Sequence, residues 1–148
     1  MTGFVDRQRA ARLMQEARID ALVLCAPEAF HYVTGASMGP AGLFRRAGAG
    51  FVVVPAREDL PLGVVVADFN AAQLQQQAAP DALILSHPIW IETATLDPSS
   101  SGQALPERIE AAFAASGRPS DFSRPATFDL TRSVEPLKQI LGEFGLGR

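Results

Sequence analysis

The sequence predicts an α/β domain built on a mixed β-sheet. Short apolar segments rich in β-branched residues alternate with longer segments of helical periodicity, which is the arrangement typical of α/β proteins. Two apolar segments, 50–54 and 62–67, are joined by residues 55–61, a length that favours an antiparallel hairpin and therefore a mixed sheet. The 148 residues, 47% hydrophobic and 20% charged, suffice for one soluble globular domain with a sizeable core.

A helix is predicted over residues 5–17, followed by a strand over residues 20–25. The apolar residues of the helix recur at helical spacing along one stripe: Ala10, Leu13, Met14 and Ala17. The strand is an almost unbroken apolar run, which predicts burial on both of its faces. Pro27 then begins a short helix or turn that extends to Tyr32, since proline suits the first position of a helix.

The middle of the chain is predicted to contain a long loop and then further alternating elements. Residues 35–50 are rich in glycine and include Pro40, so they are predicted to form a loop. After the hairpin strands, Asp68 is expected to cap a helix that runs to about Ala78 and lies on the surface, because residues 73–77 are polar. Two further strands are predicted: residues 81–86 and 89–93.

The last third is predicted to contain a linker and two helices. Residues 95–102 include an Asp-Pro-Ser-Ser-Ser-Gly stretch without core-forming residues, which is typical of a linker. One helix is expected over residues 105–115, with Gly117 as its stop, and the other over residues 133–144. Their inward-facing residues are predicted to be Ile109, Ala112 and Phe113 in the first helix and Val134, Leu137, Ile140, Leu141 and Phe144 in the second.

Composition and charge exclude several classes of function. A net charge of −3 provides no electrostatic footprint for nucleic acid or for an anionic membrane surface. No apolar run approaches the ~20 residues that a membrane span needs, and the N-terminus lacks the apolar region of a signal peptide. The single cysteine, Cys25, lies in an apolar strand and has no partner for an internal disulfide. We therefore expect an inert, buried thiol and a cytoplasmic protein.

One catalytic motif has to be weighed. The sequence Gly-Ala-Ser-Met-Gly at residues 35–39 matches the G-x-S-x-G pattern of serine hydrolases, in which Ser37 would be the nucleophile, Asp68 or Asp81 the acid and His87 the base. That motif works only at a turn between a strand and a helix. Here a predicted helix or turn precedes it and a proline follows it, so the pattern alone does not predict a hydrolase.

The two histidines do not predict a metal site. His31 and His87 lie far apart, and neither has a second ligand at helical spacing. We expect His31 to be a structural histidine. His87, which precedes Pro88 at the end of a strand, is expected to face solvent or an interface.

The order and spacing of several short patterns resemble the N-terminal domain of the creatinase/prolidase family, most fully over residues 5–90. The patterns are Ile19-Asp20-Ala21-Leu22, Pro27-Glu28-Ala29, Tyr32-Val33-Thr34-Gly35 and the loop with Phe44-Arg45-Arg46 before the next strand. One departure is Ala29, where the family usually has asparagine. The resemblance implies a three-layer fold with a mixed five- or six-stranded sheet and helices on both faces.

The resemblance also implies a function for the whole chain, residues 1–148. It would be the non-catalytic N-terminal domain, and so a piece, of an Xaa-Pro peptidase or creatinase-like hydrolase. In that family a C-terminal domain carries catalysis, with a pair of divalent metals in most members and none in creatinase. We therefore expect no catalytic residue, metal ligand or cofactor in this chain. The implied roles are oligomerisation, as a homodimer, and shaping of the substrate entrance.

By position, Phe44 and Arg46 resemble the aromatic residue and the arginine that reach the neighbouring subunit's active site in creatinase-like enzymes. Arg45 and Arg46 would hold a substrate carboxylate while the ring of Phe44 packs on its apolar part. The alternative is that both arginines are solvated surface charges. Two alternatives for the chain as a whole also stay open: a free-standing small-molecule or protein-binding module, and a small serine hydrolase that uses Ser37.

Overall fold

The computed structural model describes residues 3–39, 42, 48–77, 82–89, 95–118, 121 and 130–146. They fall into two compact units: unit 1 comprises residues 1–89 and 128–148, and unit 2 comprises residues 90–127. The helices of unit 1 are α1 (Arg7–Ala17), α2 (Pro27–Thr34), α3 (Asp68–Gln77) and α5 (Val134–Glu143). Its strands are β1 (Ala21–Leu24), β2 (Phe51–Pro55), β3 (Gly63–Ala67) and β4 (Leu83–His87). Unit 2 contains α4 (Leu105–Ala115).

The four strands form one mixed sheet in the order β1-β2-β3-β4. β1 and β2 are antiparallel, and so are β2 and β3, in which Val52 lies opposite Val64. β3 and β4 are parallel, with Val65 opposite Leu85. The predicted hairpin is therefore confirmed. The described part of the chain contains fewer strands than the five or six expected, and the predicted strand at 89–93 lies almost wholly outside it.

The alternating residues of the central strands enter two separate cores. The buried residues of the first core include Met14, Phe30, Val33, Val52, Val54, Val64, Val66 and Leu74. Those of the second core are Val53, Val65, Ile140 and Phe144. Because both faces of the sheet are covered, β2 and β3 need apolar residues at consecutive positions, which explains their valine runs. α1, α2 and α3 lie on one face and α5 on the other, which confirms the predicted three layers.

Helix ends lie where capping residues place them. The Asp6 carboxylate accepts a hydrogen bond from the Arg9 backbone N–H at 2.9 Å and begins α1. Pro27 is the first residue of α2, and Gly35 ends that helix in the left-handed region with φ +72°. Gly117, with φ +89°, follows α4 as predicted.

The predicted apolar stripe of α1 is partly wrong. Ala11 and Met14 are the buried residues of this helix, whereas Leu13 is 49% exposed. Arg7, which lies outside the predicted stripe, is half-buried and donates from Nη2 to the Leu60 carbonyl at 3.2 Å. Alanines carry little apolar surface, so they define an apolar stripe weakly. The periodicity therefore did not determine which side of the helix faces the core.

The predicted burial of β1 on both faces is wrong. β1 is the first strand in the sheet order, and Leu22 and Val23 are 36% and 44% exposed. Cys25, just after this strand, is half-buried. A short apolar run has the same composition in a central strand and in an edge strand. Only the strand order, which depends on distant parts of the chain, distinguishes the two positions.

Unit 2 contains a 3₁₀ turn within the segment predicted to be a linker. The turn spans Pro98–Ser100, and Asp97 caps it by accepting hydrogen bonds from the Ser99 hydroxyl at 2.7 Å and the Ser99 N–H at 2.8 Å. These bonds hold the pKa of the Asp97 carboxyl below its usual value. A cleft of about 340 Å³ lies beside this turn and α4. Phe113 is the buried residue of α4, as predicted.

The described ranges contain no candidate for a membrane-spanning helix. None of the helices there is long and apolar enough to cross a bilayer.

Gly63 allows α5 to pack closely on the sheet. An added Cβ at this position would lie 2.4 Å from Ile140 Cγ2 and 3.1 Å from Phe144 Cε2. We expect Gly63→Ala to lower the free energy of unfolding by about 1–3 kcal/mol through overpacking. The matched control is Gly142→Ala in α5, where an added Cβ meets nothing within 4 Å. That change should raise the free energy of unfolding by about 0.5–1 kcal/mol. Urea unfolding measures both, and equal stability of the two variants would contradict close packing at Gly63.

Candidate functional site

The candidate site is the connection between α2 and β2. The sequence places its three predicted binding residues, Phe44, Arg45 and Arg46, at the centre of this connection, and they lie outside the described residues. The structure describes the two ends of the connection, here called the first stem (residues 35–39) and the second stem (residues 48–50).

The first stem is held by side chains of α2 and α3. The Thr34 hydroxyl donates to the Phe30 carbonyl at 2.8 Å and accepts from the Ala36 N–H at 3.1 Å. One helix further along the chain, the Asn70 side chain donates from Nδ2 to the Met38 carbonyl at 3.1 Å. Asn70 is buried, and Met38 belongs to the first core.

Gly39 permits the close approach of the first stem to α3. Its φ is +73°, a backbone conformation that residues with a side chain rarely adopt. An added Cβ would also lie 1.8 Å from Asn70 Nδ2. A larger residue would therefore displace the Asn70 side chain that bonds the neighbouring Met38 carbonyl.

The second stem is held by β4 and by the 3₁₀ turn that precedes α5. His87 Nε2 donates to the Ala49 carbonyl at 3.0 Å, because a carbonyl oxygen only accepts and the proton must lie on that nitrogen. The Ser133 hydroxyl donates to the Gly48 carbonyl at 2.8 Å. Ala49 and Gly50 are buried, so their backbone groups are shielded from water.

The prediction that His87 faces solvent or an interface is wrong. The side chain is only 1% exposed. Because alternate residues of a strand share a face, His87 lies on the same side of β4 as Leu83 and Leu85, the side that α5 covers. Its Nδ1 is buried and finds no hydrogen-bond partner within the part of the chain that the structure describes. The bonding partner, Ala49, lies 38 residues earlier in the sequence, so local pattern could not identify it.

His31 has a structural contact, as predicted. Its Nδ1 lies 3.3 Å from the Ala36 carbonyl, and its ring lies 6.1 Å from that of Phe4. Phe4 also stacks on Tyr32 with ring centroids 6.3 Å apart. These contacts involve exposed side chains at the start of unit 1 and brace α2 against the preceding segment.

The serine-hydrolase alternative would need a triad of Ser37, an aspartate and His87, which the described residues do not form. Ser37 is exposed and follows a helix instead of a strand, and its Oγ accepts from the Gly39 N–H at 3.1 Å. His87 Nε2 donates to the Ala49 carbonyl, and the Asp68 carboxylate accepts from the Phe69 N–H at 2.8 Å. Asp81 lies outside the described residues. A metal-binding group of three or more His, Cys, Asp or Glu is also lacking in that part of the chain.

Sequence reasoning missed Asn70 and Ser133. Asn70 had one weak signal: asparagine has a low helix propensity, yet it follows Asp68 inside a helix, which suggests a tertiary partner. Ser133 had no signal, because its bond to Gly48 spans 85 residues of sequence.

Comparisons with known proteins give a family match and several similar folds. The model of the creatinase/prolidase N-terminal domain matches residues 7–124. Among curated proteins, none matches the chain significantly. A similar solved structure is the N-terminal domain of the cytoplasmic peptidase PepQ from Mycobacterium tuberculosis H37Rv, with 20% identity and a TM-score of 0.43. The match covers 54% of this chain and 53% of that one, so this chain spans about half of that structure's length.

Two streptococcal structures are also similar. The creatinase/prolidase N-terminal domain of an X-Pro dipeptidase from Streptococcus pyogenes is 15% identical with a TM-score of 0.44, and the match covers 74% of this chain and 67% of that one. A proline dipeptidase from Streptococcus pneumoniae is 18% identical with a TM-score of 0.44, and the match covers 96% of this chain and 87% of that one. Since the family model matches well over half of the chain, this protein belongs to the creatinase/prolidase N-terminal domain family.

Proposed function

We propose that this chain is the non-catalytic N-terminal domain of an Xaa-Pro peptidase or creatinase-like hydrolase, that it takes part in homodimer formation and that it shapes the substrate entrance. The observation that carries the proposal is the family match over residues 7–124. In this proposal the protein is cytoplasmic, and the catalytic groups, with any divalent metal pair, belong to a C-terminal domain that partners this one. This chain supplies binding contacts and an interface.

The entrance role rests on the chemistry of the loop between the two stems. Phe44, Arg45 and Arg46 combine an apolar ring with two guanidinium groups, and arginine binds carboxylates through paired hydrogen bonds. A peptide ending in proline offers both features that such a group would bind: a carboxylate and an apolar ring. Loops held by a rigid scaffold are common positions for binding residues.

The interface role is supported by the outer edge of β1. All of its residues, Ala21–Leu24, are apolar, and Leu22 and Val23 are exposed although they point to opposite faces of the sheet. Natural edge strands are usually protected from pairing by lysine, proline or a bulge. β1 has neither of these residues, so a second copy of the chain is proposed to cover this edge.

We expect the purified chain to be catalytically inert towards Xaa-Pro dipeptides, creatine and an activated ester, with or without Mn²⁺. The physical reason is that Ser37 and His87 have separate hydrogen-bond partners. Ser37→Ala and a control, Ser86→Ala on exposed β4 surface, should behave like the unaltered chain. Ester turnover that disappears with Ser37→Ala alone would support the hydrolase instead.

We expect reversible dimers in sedimentation equilibrium experiments over a range of concentrations. Val23→Lys should raise the dimer dissociation constant by about tenfold or more, because an edge lysine places like charges against each other across the pairing. The control is Val134→Lys on α5, which should leave the dissociation constant unchanged, since Val134 is 38% exposed and the prediction that it faces inward is wrong. A strictly monomeric unaltered chain at high concentration would contradict the interface role.

In the natural protein that contains both domains, Arg46→Ala should raise KM for an Xaa-Pro dipeptide by about tenfold or more, as expected for loss of a charge-assisted hydrogen bond worth ~1.5–3 kcal/mol. The control is Arg57→Ala, because Arg57 is exposed and pairs with Asp59. That variant should keep the original KM. Equal kinetics for the two variants would refute the contact by Arg46.

A further inference from the structure

We infer that four buried polar side chains of unit 1 form one anchoring device for the loop at residues 40–47, and that three of them, Asn70, His87 and Ser133, are positioning residues for the proposed substrate entrance. The inference rests on the proposed function for its consequence in catalysis. The anchoring itself rests on contacts of the described residues.

The first observation is where the buried polar groups direct their hydrogen bonds. The buried polar or charged residues of the described chain are Thr34, Asn70, His87 and Ser133. Each of them bonds to backbone in one of the two stems: Ala36, Met38, Ala49 and Gly48, respectively. Burying a polar side chain is unfavourable unless it is hydrogen-bonded. Each of the four side chains thus has at least one hydrogen bond to an end of the same loop, and the Thr34 hydroxyl also donates to the Phe30 carbonyl within α2.

The second observation is that the two stems are held from opposite faces of the sheet. Asn70 belongs to α3, which packs on the first core, and it holds the first stem. The second stem is held by His87, which has the parity of Leu83 and Leu85 at the second core, and by Ser133, which directly precedes α5. Fixing both ends of a loop on a rigid sheet limits the positions of its central residues, which lowers the entropy lost when a ligand binds.

The third observation concerns His87, whose second ring nitrogen is buried and has no hydrogen-bond partner among the described residues. An apolar side chain like the neighbouring Leu83 and Leu85 would fill this position without an unpaired nitrogen. The specific contribution of the imidazole is its directed bond to the Ala49 carbonyl. The bond to the second stem therefore explains why position 87 is a histidine, which core packing alone does not explain.

The test compares three variants of the chain by amide hydrogen exchange, resolved by segment. Asn70→Leu keeps the number and branching of the side-chain heavy atoms and removes the donor to Met38, and His87→Leu removes the donor to Ala49. The matched control is Leu74→Ala, one turn further along α3, which removes packing in the first core without removing a hydrogen bond to a stem. The first two variants should speed exchange in residues 36–50 by about tenfold or more, as expected for a lost hydrogen bond to a buried carbonyl. Exchange of β2 and β3 should change much less, whereas Leu74→Ala should speed exchange throughout the sheet.

A fourth variant checks that the bond, and not the ring, holds the second stem. His87→Gln retains an N–H donor on a flexible side chain, so it should restore a large part of the protection that His87→Leu loses. Exchange that rises equally in the stems and in β2 and β3 for Asn70→Leu and His87→Leu, as in the control, would overturn the anchoring inference.

Kinetics of the natural two-domain protein separate this inference from the proposed function. Asn70→Leu should raise KM for an Xaa-Pro dipeptide while kcat stays the same, and adding Arg46→Ala should raise KM less than additively, since both act through one contact. Looser stems with an unchanged KM would uphold the anchoring and refute the entrance role. A raised KM with stem exchange unchanged would refute the anchoring.

Discussion

The fold depends on burying both faces of the two central strands. Consecutive residues of β2 and β3 enter different cores, so neither face can be left to water without exposing a row of valines. The first core is closed by α1, α2 and α3, which lie beside the strands in sequence. The second is closed by α5, at the far end of the chain, whose Ile140 is fully buried. Gly63 lets that helix approach the sheet, so one missing side chain in β3 permits the long-range contact that completes the three layers.

This burial determines where polar side chains are needed in the interior. Backbone that passes through a dry region must find hydrogen-bond partners, and outside regular strands those partners have to be side chains. In the second stem, Gly48 and Ala49 do not belong to the ladder of β2, and Ser133 and His87 supply the missing donors. The hydrophobic requirement of the sheet thus creates the polar contacts that hold the loop.

Much of the fold could be predicted from the sequence because its signals are local. Pro27 at a helix start, Gly117 after a helix and the alternation of valine-rich and helical segments predicted most element bounds to within a few residues. The exposure of Leu22 and Val23 could not be predicted, since it depends on which strand lies at the edge.

The same distinction applies to the site. Composition and resemblance led to the proposal of the loop and its three central residues as a binding site, but they did not point to the residues that hold its ends. Asn70 and Met38 are 32 residues apart, and His87 and Ala49 are 38 apart. Such pairs become recognisable only when the sheet order brings their elements together. His87 was therefore assigned to the surface from its neighbour Pro88, although the parity of β4 places it in the interior.

The two proposed roles, self-association and substrate binding, involve opposite edges of one sheet. Substrate binding would depend on self-association, but self-association would not depend on substrate binding. Self-association is proposed at β1, whereas His87 anchors the second stem from β4 at the other edge. A partner strand added beside β1 would leave the contacts of Asn70, His87 and Ser133 unchanged, so the stems do not need a dimer to be held. If Arg46 acts in the neighbouring subunit's active site, however, its contribution requires both the dimer and the anchored stems. Loss of the interface would then remove the effect of Arg46 even in a chain whose loop is correctly held, while loss of an anchor would leave dimerisation intact.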